Sequence, residues 1–127
     1  MRVGGEIMPI LCSERLEMVK EIAKLSKERA DTIIECTQNI IKKGSDFDKH
    51  HILNQFDIIL EKDKKLYKYL ESLSYDDLLL IDKLIDLGGG GSLNLENKNY
   101  ATIVALIADI EPLDVYLKKG VEKLLVR

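Results

Sequence analysis

The chain has 127 residues, 46% of them hydrophobic and 32% charged, with a net charge of −3. This length and composition suit one folded globular domain rather than a disordered chain. They exclude a disulfide scaffold, since there are only 2 cysteines, and a membrane-spanning helix, since no run approaches about 18 apolar residues.

The first dozen residues contain an apolar patch at 7–11 that is too short and too broken for a secretory signal. They are expected to form a loosely ordered N-terminal segment, and the protein to be cytoplasmic with Cys12 and Cys36 reduced. A helix then starts at Ser13, a good N-cap, with Glu14 and Glu17 in its first turn. Leu16, Val19, Ile22, Ala23, Ser26, Ala30, Ile33, Ile34, Thr37, Ile40 and Ile41 recur every three or four residues. The stripe stops at Lys42, Lys43 and Gly44, where bases meet the C-terminal dipole and glycine ends the helix. About 30 helical residues extend roughly 45 Å, more than the width of a domain this small. Such a helix either bends near residues 26–31 or projects and packs against a second copy.

Residues 45–48 (Ser-Asp-Phe-Asp) have a capping-box spacing and open a second helical stripe through Ile52, Phe56, Ile59, Leu66 and Leu70. Asp63, Lys64 and Lys65 form a polar turn of that helix or a break in it. Ser74 to Asp77 repeats the capping-box spacing and predicts a third helix with Leu78, Ile81, Leu84, Ile85 and Leu87 buried, ending at glycines 88–91. Residues 92–95 alternate over too few positions to make a strand. Asn94 or Asn97 is placed to cap a fourth helix carrying Ile103, Val104, Ile107 and Ile110, which Glu111-Pro112 breaks. Pro112 suits the first position of a fifth helix with Leu113, Leu117, Val121 and Leu124 on its apolar face. The expected fold is all-α: a single compact bundle of about five helices with a long N-terminal helix.

The residues around Leu73-Ser74-Tyr75-Asp76-Asp77, the helix ending in glycines 88–91, and the segment from Glu111-Pro112-Leu113 through Tyr116-Leu117 to Gly120-Val121 occur in an order that resembles a bacterial family catalogued as domain of unknown function 3775. The resemblance covers about residues 66–125 and implies a helical fold. Where that family has Arg and Asp in a Gly-Arg-Gly-Asp turn, this chain has Gly89 and Gly91, so any anion- or partner-binding role of that arginine is absent. The family carries no assigned activity, and the resemblance brings none.

Charge is unevenly spread. Residues 1–73 hold 13 bases and 13 acids, residues 74–114 hold 2 bases and 8 acids, and residues 115–127 hold 4 bases and 1 acid. The acidic middle makes the chain a poor general ligand for phosphate backbones. It makes Asp76, Asp77 and Asp82 candidates for docking a basic protein partner. Lys20, Lys24 and Lys27 share one helix face and form the alternative, phosphate-facing surface of a nucleic-acid-associated regulator, although Glu17, Glu21 and Glu28 interleave with them.

No catalytic, cofactor or metal site is expected. The tetraglycine lacks the preceding strand and following Lys-Ser/Thr of a phosphate loop. A calcium loop laid over residues 86–97 has glycine at two ligand positions and Asn97 in place of the closing glutamate. His50 and His51 are adjacent, and so diverge by about 100° on a helix. Cys12 lies at a helix start but has no histidine beside it in the pattern. The expected function is non-enzymatic protein–protein interaction, with self-association through the long first helix as one form of it, and an enzyme of unidentified class as a further alternative.

Overall fold

The computed structural model describes residues 11–42 and 49–126. Among these the protein is all-α, with five helices: α1 (Ser13–Lys42), α2 (Lys49–Glu71), α3 (Tyr75–Ile85), α4 (Tyr100–Ala108) and α5 (Leu113–Val126). A π turn (Asp86–Gly90) continues α3. Most of the N-terminal segment, Gly44 and the expected cap at 45–48 lie outside the described residues.

The long first helix is one 30-residue element. The carbonyl of Cys12 takes its first hydrogen bond, from Leu16 N–H at 2.8 Å, so Cys12 rather than Ser13 occupies the cap position. α2 runs through Asp63, Lys64 and Lys65 without a break for 23 residues. The two helices are antiparallel, because Arg29 meets Asp63 while Asn39 meets Gln55.

The capping box forms at α3. Ser74 Oγ accepts from Asp77 N–H at 3.1 Å, and the Asp77 carboxylate accepts from Ser74 N–H at 3.4 Å. For α4 the structure corrects the expected cap. Asn99, not Asn94 or Asn97, accepts from the Thr102 N–H, at 2.8 Å. Asn94 and Asn97 instead take positive φ (53° and 66°), which asparagine tolerates in turns. Pro112 stands just before α5 and gives its carbonyl to Tyr116 N–H.

The core is built where α3, α4 and α5 meet the inner halves of α1 and α2. Ile22, Leu66, Leu70, Leu78, Ile81, Leu84, Ile103, Ile107, Leu113 and Leu117 are fully buried there. Tyr100 ties α4 to the end of α2. Its hydroxyl stands within donating distance of the carbonyls of Leu70 (3.2 Å), Glu71 (2.8 Å) and Leu73, which lie at or just past the helix end. Burial, helped by Glu71 and Asp77, raises its pKa above the usual tyrosine value. Tyr69 is raised in the same way by burial, then by Glu21 and Asp77.

Backbone contact sets the position of α5. A Cβ on Gly88 would overlap the Tyr116 carbonyl oxygen and stand 2.8 Å from its carbon. A Cβ on Gly120 would overlap the Leu84 carbonyl oxygen and stand 2.7 Å from its carbon. Each chain segment therefore presents a glycine to the other's backbone. Gly89 differs: it has open space around it but a φ of 100°, which closes the π turn. Gly88→Ala and Gly120→Ala are each expected to lower stability by about 3 kcal/mol through overpacking. Gly89→Ala should cost only about 1 kcal/mol, from strained φ. Urea unfolding of the three variants measures the difference.

Candidate functional site

Two surfaces of the α1–α2 hairpin stand out, and both grow from the helical stripe of α1. The first is a groove of about 810 Å³ between the inner half of α1 and α5. Its floor is apolar, formed by Leu16, Val19 and Ala23 of α1 and Val115, Leu117 and Val121 of α5. Lys20, Lys24 and Lys27, the basic residues singled out in the sequence, all line it. Lys118 and Lys119 of α5 join them from the other wall, with Asp114 and Glu122 on the same helix. Among the described residues the groove thus carries five lysines against two carboxylates. Lys20 pairs with Glu17 at 3.6 Å and Lys27 with Asp31 at 3.3 Å, both highly exposed pairs that hold the lysines only weakly.

The second surface is the outer half of the hairpin. Here polar groups enter the seam between α1 and α2 beside the half-buried Ile33, Ile40, Ile52 and Ile59. The Arg29 guanidinium is buried and donates to Asp63 at 2.9 Å. Its Nε is buried without a hydrogen-bond partner among the described residues. The Asn39 amide donates to the buried Gln55 side chain at 3.2 Å, and His51 Nε2 lies 3.3 Å from the Asn39 carbonyl. Cys36 is the one fully buried apolar side chain of this outer seam among the described residues.

Other large apolar side chains of this half face outward; Ile58, 40% exposed, does so on the opposite side of α2 from the rest. Ile34 is 57% exposed, Ile41 69%, Leu53 49%, Phe56 51% and Leu60 52%. Ile34 and Ile41 are seven residues apart, and Leu53, Phe56 and Leu60 follow an i, i+3, i+7 spacing, so each set forms one row. Both rows lie the same rotation past the seam, and in an antiparallel pair that puts them on the same side of the hairpin. Leu16, Ala23 and Ala30 precede Ile34 and Ile41 on the same side of α1. The face that α5 meets on the inner half therefore continues uncovered along the outer half.

The acidic residues have internal work. Asp77 serves the capping box and also meets Arg15 of α1 at 3.4 Å. Asp82 accepts the Leu93 N–H at 2.9 Å and so anchors the segment after the π turn. Asp76 is exposed at the start of α3. The structure thus places these three on one helix, but turns two of them toward the protein's own backbone.

The tetraglycine ends α3 and leads into loop, with Gly91 at φ 81°. Cys12 is exposed and Cys36 is buried between α1 and α2. Among the described residues, no group of three or more His, Cys, Asp or Glu side chains is placed to hold a metal ion, and no helix is long and apolar enough to cross a membrane. Lys118 and Lys119 were absent from the sequence-derived surface. The net positive charge of residues 115–127 was their signal, but only the fold brings it opposite α1.

No protein-family model matches the chain, and neither the curated proteins nor the solved structures contain a significant match.

The polar seam can be tested directly. Asp63→Ala leaves the buried Arg29 guanidinium without its carboxylate and is expected to cost about 2 kcal/mol, between exposed and buried ion-pair values. Arg29→Met removes the charge together with its desolvation and should cost less. Thermal unfolding of the two variants should rank them in that order, and equal losses would contradict the assignment.

Proposed function

We propose that the chain is a non-enzymatic helical interaction protein, acting in the cytoplasm, that assembles with a second copy of itself through the outer half of the α1–α2 hairpin. The observation that carries this reading is the pair of exposed apolar rows, Ile34 and Ile41 on α1 with Leu53, Phe56 and Leu60 on α2. Contiguous apolar surface of this kind on a small soluble domain marks a docking face. Charge favours a second copy as the occupant. Residues 28–42 and 49–65 hold six bases and six acids, so two such arms meet without net repulsion. A two-fold pairing would set the same rows against each other, making a four-helix arrangement from two hairpins.

Sedimentation equilibrium tests it. At about 100 µM, an association stronger than roughly 5.5 kcal/mol is more than half formed, and the wild-type chain is expected to sediment mainly as a dimer. Ile34→Asp combined with Phe56→Asp should give a monomer that remains helical and unfolds cooperatively, since both side chains are already exposed. A monomeric wild type, or a variant that still dimerises, would overturn the proposal.

A nucleic-acid-associated regulator is the second reading, and one observation favours it: the fold adds Lys118 and Lys119 to Lys20, Lys24 and Lys27. A salt-sensitive gel shift with duplex DNA would support it. The apolar floor between those lysines has no counterpart in phosphate recognition and points elsewhere.

A further inference from the structure

We infer that the groove between α1 and α5 is a docking site for an acidic amphipathic helix of a protein partner. The inference rests on residues other than the outer arm, so either surface can fail without the other.

Three features fix the occupant. The first is the pairing of an apolar floor with a basic rim. Leu16, Ala23, Val115 and Val121 offer apolar contact at the base, while lysines stand on both walls: Lys20, Lys24 and Lys27 on α1, and Lys118 and Lys119 on α5. A ligand that satisfies both must have an apolar stripe flanked by negative charge on each side. A phosphate backbone supplies the charge without the stripe, and a plain hydrophobic peptide supplies the stripe without the charge.

Length is the second feature. The lining residues of α1 run from Leu16 to Lys27, a rise of roughly 17 Å, or three helical turns. A helix of three to four turns placing apolar side chains at i, i+3 or i+4, and i+7 matches that span. The third feature is what the walls lack. Both walls are helices, so there is no sheet edge for an extended strand to join. Among the described residues no aromatic side chain lines the groove, whereas a proline-rich ligand would require one. Helix-in-groove recognition is the mode that remains.

The lysines are suited to this role. They are held by exposed ion pairs at most, and Lys24, Lys118 and Lys119 have no ion-pair partner among the described residues. Reorganising them to meet a partner's carboxylates breaks nothing buried. Charge complementarity of this kind raises the rate of encounter and rejects cationic helices. The attraction should weaken as salt shortens the reach of these exposed charges.

The test uses fluorescence anisotropy with the full-length chain and three labelled probes. The first probe is a 14-residue helical peptide with leucines at i, i+3, i+4 and i+7 and glutamates on both flanks. The second is the same peptide with lysines replacing the glutamates, and the third is a 20-base-pair duplex. The glutamate-flanked peptide is expected to bind in a salt-sensitive manner, and the lysine-flanked peptide to bind at least about tenfold more weakly. Lys24→Glu combined with Lys118→Glu should weaken the glutamate-flanked peptide by about tenfold or more and reverse the preference between the two peptides. Because both lysines are exposed, this variant should fold, and its helical circular dichroism checks that. The arm variant carrying Ile34→Asp and Phe56→Asp should bind the peptide as the wild type does. Failure of the glutamate-flanked peptide to bind, equal binding of the two peptides, or its displacement by the duplex would overturn the inference.

Discussion

The arrangement of the protein depends on a backbone contact that two glycines permit. Gly88, in the π turn after α3, meets the Tyr116 carbonyl, and Gly120, in α5, meets the Leu84 carbonyl. The contact is reciprocal: each element gives up a side chain where the other's backbone arrives. Close approach at these points brings Leu84, Leu113 and Leu117 together in a fully dry core. It also fixes where α5 lies against α1, and therefore the width of the groove and the distance between its two rows of lysines. A side chain at either glycine would push the helices apart and change both.

From that base the α1–α2 hairpin reaches outward, and its character changes along its length. The inner half contributes Met18, Val19, Ile22, Leu66 and Leu70 to the shared core. Along the outer half the seam mixes the hydrogen bonds of Arg29 with Asp63 and Asn39 with Gln55 among half-buried isoleucines. Hydrogen bonds of this kind add modest net stability and leave apolar area undisposed. Ile34, Ile41, Leu53, Phe56 and Leu60 face solvent, on the side that α5 meets lower down. A partner on that side would extend the packing the base already has. The groove and the bare face thus share one origin, a long helix whose apolar stripe exceeds what the rest of the chain covers.

The helices were legible in the sequence because period 3.6 is a strong signal. Ser74 and Asp77 named the start of α3, and glycines 88–91 named its end. The cap of α4 was not legible. Asn94, Asn97 and Asn99 all stand before it, and only the backbone path, with positive φ at the first two, selects Asn99. The stripe of α1 was visible, yet its depth of burial was not. Ile34 and Ile41 belong to the same broad stripe as Ile22 but lie about 100° round the helix from it, on the side that stays exposed. Conversely, Arg29 and Gln55 are polar side chains on the buried stripe, and their chemistry gives no sign of being buried. The groove was half visible, in the i, i+4, i+7 lysines of α1. Its other wall comes from Lys118 and Lys119, about 90 residues away in the chain, and a juxtaposition at that separation belongs to the fold, not to any local pattern.

Hydrogen exchange as a function of protein concentration tests the central claim most directly, because it reads the base and the outer hairpin separately in one sample. If the base is complete in one chain and the outer hairpin completes itself against a second copy, protection of amides at 33–41 and 52–60 rises with concentration, while protection in α3, α4 and α5 stays constant. Protection of the outer hairpin that is already full at the lowest concentration, and unchanged at the highest, would contradict the account.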